Sequence, residues 1–331
     1  MKALLFEKPG IDNLKVEEIP DPEPGPEDVV VRVELAGVNP IDYAVIERIP
    51  VKLPHVPGAE AAGTIEKIGD SVTDLKVGDK VTVYNRVFDG TCDMCISGRE
   101  NLCVNGGIMS VVTDGGYQEL WKIPAKNAFK VEGMSWEMAA SLPTAALSAY
   151  HALREAQLSP GETLAVLGAT GNTGRFAVQL GKIMGATVLA VTRSRTQVDG
   201  ADFVLDYSDL KSEAARLTGG RMVDVVLNSV GKSVWDAGLS LLAPYGRLVT
   251  FGVLTGGEVS LNVSWLYGTH AKIIGTTGGT RKEMKDLIKL SDRLAVKTWR
   301  KFSLEQAKEA LRSLYTEDRS KGGRAFIQPR E

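Results

Sequence analysis

A short apolar strand, a glycine-rich turn and a helix follow one another directly, and this run constrains the fold of the chain more than any other segment. The apolar residues 164–167 are followed by Gly168, Gly171 and Gly174 and then by a helical stretch at 175–184. In such a unit the first glycine allows a tight turn, the second lets the backbone approach a pyrophosphate, and the third permits close packing of helix on strand. The strand before and the helix after the glycines favour a dinucleotide-binding loop over glycines that serve only a βα turn.

Strand and helix signals alternate at the length of βαβ units from about residue 141 onward, which predicts an α/β domain with a doubly wound parallel sheet. The predicted strands are short apolar runs, as expected for a sheet that helices cover on both faces. They span residues 164–167, 188–191, 203–205, 223–227, 247–251 and 272–274. The first 85 residues instead show short β-type runs between turn clusters, which predicts an irregular β domain. Helices at 281–294 and 304–314 and a strand at 324–328 follow, and we expect this C-terminal segment to pack on the first domain.

The end of the second strand of such a sheet is where the type of dinucleotide is selected. An acidic residue there would accept hydrogen bonds from a ribose 2′-hydroxyl, but this chain has Thr192, Arg193, Ser194 and Arg195. Guanidinium and hydroxyl groups bind a phosphate through charge-assisted hydrogen bonds, which favours NADP(H). Arginines on a solvated surface are the alternative interpretation. Tyr207, after the third strand, is a weaker candidate for a contact at the adenosine end.

The predicted cofactor contacts beyond these residues lie in the glycine loop and at three other motif positions. They are Gly168, Ala169, Thr170, Gly171, Asn172, Thr173, Gly174, Ser229, Gly252 and Thr144.

All three cysteines of the chain lie close together, at Cys92, Cys95 and Cys103. A CxxC pair with a third nearby cysteine is typical of tetrahedral zinc sites. Asp89 continues the three-residue spacing upstream and can supply the fourth ligand. A zinc ion with four protein ligands is closed to substrate, so the pattern predicts one structural zinc. A disulfide, which a reducing compartment disfavours, and free buried thiols are the alternatives.

The charge balance disfavours polyanionic partners. The chain has 39 Lys+Arg against 41 Asp+Glu, a formal charge of -2, so no net attraction to nucleic acid or anionic membranes is expected. The longest uncharged stretch in the middle of the chain, residues 138–153, is shorter than the roughly 20 apolar residues of a spanning helix. The N-terminal MKALLFEKPG has no apolar core of a secretory signal, and we expect a soluble cytoplasmic protein with a small-molecule substrate.

Further motifs occur in the order typical of one family. They are GVNPID at 37–42, PGAEAAGTIEKIG at 57–69, VGDKV at 77–81, LPTAALSAYHAL at 142–153, SVG at 229–231, YGRLVTFG at 245–252 and GTTGGTRKE at 275–283. With the glycine loop and the cysteine lobe, the chain resembles the medium-chain dehydrogenase/reductase superfamily, close to zinc-type alcohol dehydrogenases and quinone oxidoreductases. The resemblance implies a GroES-like domain at 1–144 and 275–331, a Rossmann domain at 145–274, and an active-site cleft at their junction. It also implies a zinc lobe at 86–106 and a homodimer or homotetramer.

In the zinc-catalytic members of this family, the metal is held by a cysteine in GVC, a histidine in PGHE and a further cysteine before the joining helix. The resemblance matches these positions to Asn39, Ala59 and Thr144, so all three ligands are replaced. A substitute metal site would have to use His55 with nearby acidic residues such as Asp42 and Glu60. A single histidine near the motif argues against such a metal site, since three well-placed ligands are required.

Hydride transfer to a carbonyl builds negative charge on oxygen, which zinc normally stabilises. Without zinc, hydrogen-bond donors or a substrate that delocalises the charge must stabilise it. Asn39 and Tyr43 are the predicted catalytic donors, although Tyr43 could equally form an apolar wall. The predicted activity is therefore NADP(H)-dependent hydride transfer to or from a carbonyl or a conjugated carbonyl such as a quinone, an enone, an enoyl thioester or an aromatic ketone. An alcohol dehydrogenase or ketone reductase with an unusual metal site, and an NADPH-binding protein without turnover, are the alternatives.

Overall fold

The computed structural model describes residues 1–315 and 322–330, which divide into two compact units. Unit 1 comprises Met1–Thr144 and Thr280–Glu331, and unit 2 comprises Ala145–Gly279. The predicted domain boundaries lie at 144/145 and 274/275, and the two compact units divide at 144/145 and 279/280. Gly279 belongs to unit 2 because it packs closely there: a Cβ on it would lie 2.7 Å from Leu147 and 3.2 Å from His151.

The N-terminal part of unit 1 is rich in β-strands, as predicted. Its strands are β1 (Lys2–Leu5), β2 (Lys15–Glu18), β3 (Asp28–Gly37), β4 (Ala61–Ile68), β5 (Lys80–Val83), β6 (Arg86–Val87), β7 (Gly107–Ile108), β8 (Leu120–Pro124) and β9 (Ala128–Lys130). Its helices are α1 (Pro40–Glu47), α2 (Asp93–Ile96) and α3 (Trp136–Ala139), with short 3-10 turns at Ile11–Asn13, Glu100–Leu102 and Ala125–Asn127. A π-helical turn at Leu142–Ala146 contains the chain boundary between the units.

Unit 2 is a doubly wound α/β domain. Its elements are α4 (Leu147–Glu155), β10 (Thr163–Leu167), α5 (Asn172–Ile183), β11 (Thr187–Val191), β12 (Phe203–Leu205), α6 (Leu210–Leu217), β13 (Val223–Asn228), α7 (Trp235–Leu241), β14 (Leu242–Thr250), α8 (Val263–Thr269) and β15 (Lys272–Gly275), with a 3-10 turn at Lys232–Val234. The strands form one six-stranded sheet in the order β12-β11-β10-β13-β14-β15, and every neighbouring pair is parallel. The predicted fold is confirmed.

The chain then returns to unit 1 with α9 (Arg281–Leu290), a 3-10 turn at Ser291–Arg293, β16 (Thr298–Phe302), α10 (Ala307–Arg312), a 3-10 turn at Ser313–Tyr315 and β17 (Arg324–Ile327). Strand β17 pairs with β16 and, in antiparallel register, with β3, where Phe326 lies opposite Gly37. The seven-stranded sheet of unit 1 has the path β16-β17-β3-β4-β5-β9, and β8 also pairs with β3. The C-terminal segment therefore completes the sheet that the N-terminal segment begins, as predicted.

Burial explains why short apolar runs were sufficient to place the strands of unit 2. The four residues of β10 from Leu164 to Leu167 are completely buried, because helices cover both faces of a parallel sheet. In α5, Phe176, Ala177 and Leu180 face this core, with exposed fractions of at most 2%. No helix within residues 1–315 and 322–330 is both long enough and apolar enough to cross a membrane.

Candidate functional site

The three glycines of the loop between β10 and α5 each meet a different steric demand. Gly168 has a φ of 69°, a conformation that residues with a Cβ rarely adopt. A Cβ on Gly174 would collide with the carbonyl oxygen of Gly168 and lie 2.8 Å from the Cα of Ala169, so helix and strand can approach closely only with glycine here. Gly171 is the N-cap of α5, and its position is nearly open, with Gly168 O 3.2 Å from an added Cβ. The loop thus has the shape that a pyrophosphate cradle requires.

A dinucleotide fits the carboxyl edge of this sheet. Helix α5 begins at the end of the loop, and the N-terminus of a helix attracts anions. Thr192 follows β11 directly; its hydroxyl is buried and has no hydrogen-bond partner among the described residues, so it is open to a ligand. Ser229 and Gly252 follow β13 and β14, and a Cβ on Gly252 would lie 2.9 Å from the Cα of Ser229. All these predicted contact residues therefore lie at the strand ends where ligands of such sheets bind.

Tyr207 lies beside the glycine loop, which its sequence position did not reveal. Its hydroxyl accepts a hydrogen bond of 3.2 Å from the backbone N–H of Gly168. Burial raises the pKa of this phenol, so Tyr207 is neutral at physiological pH. The side chain is therefore held against the first glycine of the loop.

The two arginines after β11 have different environments. Arg195 donates from Nε to Asp206 Oδ2 at 2.6 Å and from Nη2 to Asp209 Oδ2 at 3.1 Å. Arg193 is exposed and makes no ion pair with a described carboxylate. The arginine pair predicts at least one phosphate contact, but the sequence does not reveal the two carboxylates that hold Arg195.

The structure brings the four predicted zinc ligands together in unit 1. Asp89, Cys92, Cys95 and Cys103 each offer a ligand atom within 4.8 Å of all the others. The Sγ atoms of Cys92 and Cys103 are 3.9 Å apart. Two thiolates on a tetrahedral zinc are about 3.8 Å apart, since each Zn–S bond is about 2.3 Å. The residues present therefore fit a zinc ion with four protein ligands.

Asp89 is oriented by its own loop. Its Oδ1 accepts hydrogen bonds from the N–H groups of Thr91 at 2.7 Å and Cys92 at 3.0 Å, and its Oδ2 accepts one of 2.6 Å from Asn105 Nδ2. These bonds, that of Cys92 first, lower the pKa of Asp89 below its ordinary value. The carboxylate is therefore ionised, as a metal ligand must be.

Hydrogen bonds connect Ala59 and Thr144, two of the residues that the resemblance matches to catalytic zinc ligands. The amide of Asn85 donates to the carbonyl oxygen of Ala59 at 3.0 Å and to the hydroxyl of Thr144 at 2.8 Å. The backbone N–H of Thr144 donates to Glu60 Oε2 at 3.0 Å. Asn39 is the N-cap of α1 and is 3% exposed. Thr144 thus belongs to this network of unit 1, and its predicted contact with the cofactor stays a prediction.

A buried ion pair forms the centre of this network. Arg324 on β17 pairs through Nη2 with Glu60 Oε1, and the two side chains are 2% and 0% exposed. The same Nη2 lies 3.4 Å from Asn39 Oδ1. Arg324 was not identified from the sequence, because nothing in a strand at the C-terminus indicates a partner 264 residues away. It places a positive charge beside Asn39 and Glu60.

Asp42 is a second buried carboxylate in this region. It accepts hydrogen bonds of 2.7 Å from the N–H groups of Asn39 and Ala59 and one of 2.8 Å from the hydroxyl of Tyr117. Burial raises the pKa of Asp42 to about 7, and the charge of Glu60 contributes in the same direction, although the three hydrogen bonds oppose the shift. We therefore expect Asp42 to change its protonation state near neutral pH.

The remaining candidates lie outside this cluster. Tyr43 is half-buried, and its ring packs on Tyr315 with a centroid distance of 4.7 Å. His55 is buried and is directed at the carbonyl oxygen of Ser110, 2.9 Å from Nε2, and at Asp114, 3.6 Å from Nδ1. His55 is thus not grouped with Asp42 and Glu60 for metal binding. Among the described residues, the cysteine lobe is the one group of three or more side chains arranged to hold a metal.

Comparisons with known proteins agree with the fold. Residues 25–133 match the family described as the alcohol dehydrogenase GroES-like domain, and residues 173–293 match the zinc-binding dehydrogenases. A NAD-dependent alcohol dehydrogenase of Sulfolobus acidocaldarius is 32% identical, covering 95% of this chain and 96% of the relative. An acryloyl-coenzyme A reductase of Sulfurisphaera tokodaii is 31% identical, covering 99% and 100%. The structure of a thermostable alcohol dehydrogenase from Pyrobaculum aerophilum matches with a TM-score of 0.93 at 40% identity, covering 99% of both chains.

A GroES-like β domain, a Rossmann domain with a glycine loop, and a cysteine lobe define a class of oxidoreductases that act on small molecules. The chain belongs to the medium-chain dehydrogenase/reductase superfamily, as its motifs suggested. Nicotinamide dinucleotide and zinc are accordingly the cofactors that its domains and its cysteine cluster suggest.

Proposed function

We propose that the chain transfers a hydride between NADP(H) and a carbonyl or conjugated carbonyl without a catalytic zinc ion. The observation that carries this proposal is the network at the three former ligand positions. Asn39, Ala59 and Thr144 contribute amide, carbonyl and hydroxyl groups that bond to Arg324 and Asn85, where zinc-catalytic relatives present thiolate and imidazole. Zinc is a borderline-soft ion, and it prefers thiolate and imidazole ligands to amide, carbonyl and hydroxyl groups.

The substrate class follows from the loss of a strong electrophile. Zinc would stabilise the developing oxyanion by several kcal/mol, and a neutral donor supplies less. A conjugated substrate spreads the negative charge and needs less stabilisation by the protein. Enones, quinones, enoyl thioesters and aromatic ketones are substrates of this kind. The similarity to an acryloyl-coenzyme A reductase, whose name denotes a conjugated thioester, supports this choice.

The chain's own residues would then hold the reactants and move the proton. When bound, the nicotinamide ring supplies or accepts the hydride. Tyr43 is the proposed proton donor, because it carries a hydroxyl and directly follows the buried Asp42 in the chain. Asn39 would orient the carbonyl oxygen through its amide, and the guanidinium of Arg324 next to it would favour negative charge there. On the cofactor, Arg193 and the hydroxyl of Thr192 would bind the 2′-phosphate.

The decisive experiment combines a metal count with substrate assays. NADPH oxidation should occur with an enone, a quinone or an aromatic ketone, while the purified protein holds one zinc per chain and gains no activity from added zinc. Tyr43→Phe should lower kcat about a hundredfold, within the range of general acid catalysis. Tyr245→Phe is the matched control, since this tyrosine is 67% exposed and lies in β14 of unit 2.

The two alternatives predict other results. A second zinc per chain that is required for turnover would replace the proposal with a dehydrogenase that has an unusual metal site. Tight NADPH binding without oxidation by any of the three substrate classes would indicate a nucleotide-binding protein.

We also propose that the chain forms a homodimer or homotetramer. Strand β15 is at the edge of the six-stranded sheet, and the neighbouring α8 exposes Val263 and Tyr267, at 65% and 70%. An exposed strand edge with apolar neighbours is suited to pairing with a second copy. Light scattering tests this, and a monomer at micromolar concentration would contradict it.

A further inference from the structure

The guanidinium of Arg195 is held between two carboxylates at the end of unit 2 where the cofactor is selected. Its Nε lies 2.6 Å from Asp206 Oδ2 and its Nη2 lies 3.1 Å from Asp209 Oδ2. Ser208 strengthens the arrangement, because its N–H and its hydroxyl both donate to Asp206 Oδ1. Arg195 has a φ of 46°, an unfavourable conformation for a residue with a Cβ. The ion pairs thus hold both the side chain and a strained backbone.

Strand register places these carboxylates at the ribose end of the predicted cofactor site. Strands β11 and β12 are parallel neighbours, and Val191 lies opposite Leu205. The next residue of each strand is Thr192 and Asp206, and the N–H of Thr192 donates to the Leu205 carbonyl oxygen at 2.9 Å. Adjacent strands are about 4.8 Å apart. A carboxylate therefore reaches the end of β11 from the neighbouring strand.

This arrangement changes how the arginine pair can act. A guanidinium that already bonds two carboxylates must give up those bonds, or share them, to bind a phosphate. The negative charges of Asp206 and Asp209 also oppose a second anion nearby. Arg193 has no such restriction, since no described carboxylate pairs with it. One arginine is thus free for a 2′-phosphate, and the other is held back.

We propose that Asp206 and Asp209 are specificity-determining residues that hold Arg195 away from a 2′-phosphate, so that the site accepts both NADP(H) and NAD(H). This inference rests on the proposed dinucleotide function. Asp206 would accept a hydrogen bond from the ribose 2′-hydroxyl of NAD(H), and Arg193 would bind the 2′-phosphate of NADP(H). The similarity to a relative named NAD-dependent is consistent with a site that has not excluded NAD(H).

Binding constants for the two reduced cofactors test the proposal without any substrate. Nicotinamide fluorescence, titrated with NADPH and with NADH, gives the ratio of the two Kd values for each variant. Asp206→Asn, Asp209→Asn and the double variant should each tighten NADPH, the double variant by about tenfold, because Arg195 is released to the phosphate. Asp206→Asn should also weaken NADH about threefold to tenfold, since an acceptor for the 2′-hydroxyl is lost.

Matched variants separate this effect from general charge removal. Glu213→Gln removes one negative charge from α6, where Glu213 pairs with Arg216, and should leave the ratio unchanged. In the double Asp206→Asn/Asp209→Asn background, adding Arg195→Ala should remove the gain in NADPH affinity. Asp209→Asn keeps Asp206 and its bonds to Ser208, so it remains informative if Asp206→Asn disturbs the loop.

The outcomes are distinguishable. An unchanged NADPH-to-NADH ratio in Asp209→Asn and in the double variant, with a wild type that binds a reduced cofactor, overturns the inference and leaves the proposed function intact. A wild type that binds neither cofactor overturns the proposed function itself. A wild type that binds NADPH at least a thousandfold more tightly than NADH also overturns the inference, because the site would then not accept both cofactors.

Discussion

The carboxylate of Glu60 and the guanidinium of Arg324 form an ion pair in the interior of unit 1, with exposed fractions of 0% and 2%. The other oxygen of Glu60 accepts the backbone N–H of Thr144. One carboxylate therefore connects the C-terminal strand to the turn that ends the N-terminal part of unit 1. Glu60 thus has two partners within unit 1, the guanidinium of Arg324 and the backbone N–H of Thr144.

Breaking this pair from one side should be costly. Arg324→Met leaves Glu60 buried without its cation, and Glu60→Gln leaves the guanidinium without its anion; each should lower the free energy of unfolding of unit 1 by about 3 to 5 kcal/mol. The double variant Glu60→Gln/Arg324→Met removes both charges and should lose clearly less than the sum. Chemical denaturation measures the three values. Strictly additive losses would contradict the pairing.

Gly37 should tolerate no side chain, because it lies against this ion pair. A Cβ at this position would be 2.7 Å from Arg324 Nη2 and 2.8 Å from the Cδ of Glu60. Gly37→Ala should therefore destabilise unit 1 by about 1 to 3 kcal/mol, the usual cost of overpacking. Gly275→Ala, at the end of β15 with no atom within 4 Å of an added Cβ, is the control and should change stability little. Equal effects in a thermal unfolding assay would show that close packing at Gly37 is unimportant.

The elements of unit 2 were predictable because their signal is local. Four buried residues in β10 and the adjoining glycines specify strand and turn without reference to the rest of the chain. Predicted boundaries differ by a few residues: α5 begins at Asn172, three residues earlier than expected, because the helix continues through Gly174. Strand β14 begins at Leu242, five residues earlier than its apolar core suggests.

The side-chain partners could not be predicted, because they depend on register and long-range contacts. Asp206 meets Arg195 only because β12 lies beside β11 in a particular alignment. Arg324 meets Glu60 only because β17 pairs with β3. In contrast, the four proposed zinc ligands lie within one short loop, and their spacing in the sequence was sufficient to predict them.

Loss of a zinc ligand should destabilise the cysteine lobe without abolishing cofactor binding. Cys103→Ser replaces a thiolate with a hydroxyl, which is a much weaker zinc ligand, so zinc per chain should fall from one to less than about 0.2 and Tm should fall. NADPH affinity should change less than about threefold, because the glycine loop belongs to unit 2. Asp93→Asn changes a lobe residue outside the ligand set and serves as the control. A full zinc content in Cys103→Ser would refute this ligand assignment.

A side chain added at Gly174 should weaken the binding of both cofactors to the same extent. A Cβ at Gly174 would collide with the carbonyl oxygen of Gly168, which is backbone and cannot move aside. Gly174→Ala should therefore weaken the binding of NADPH and of NADH alike, by about tenfold or more, as expected when the cradle is distorted.

Arg193→Ala should weaken the binding of NADPH about tenfold and leave the binding of NADH nearly unchanged. Fluorescence titrations with both cofactors measure this contrast, and equal losses in Arg193→Ala would remove its assigned contact with the phosphate.

Asp42 should make the stability of unit 1 depend on pH in the neutral range. Burial raises the pKa of Asp42 to about 7 from its ordinary value of 3.8, so between these values the folded state binds a proton that the unfolded state has released. Stability therefore falls as pH rises through this interval, since the unfolded state binds fewer protons. Asp42→Asn cannot titrate, although it disturbs some of the hydrogen bonds that Asp42 accepts. The Tm of Asp42→Asn minus that of the wild type should thus increase by a few degrees, roughly 2 to 4 °C per kcal/mol, between pH 5 and pH 8.

Asp79 provides a control of opposite sign for this pH dependence. Its hydrogen bond to Lys130, at 2.8 Å, lowers the pKa of Asp79 below 3.8. A lowered pKa means that Asp79 stabilises the fold above its ordinary pKa and loses this effect only in more acidic solution. The Tm difference between Asp79→Asn and the wild type should hence be constant from pH 5 to pH 8, while that of Asp42→Asn rises. If both differences stay constant, Asp42 is ionised throughout this range, and the buried cluster carries a net negative charge at neutral pH.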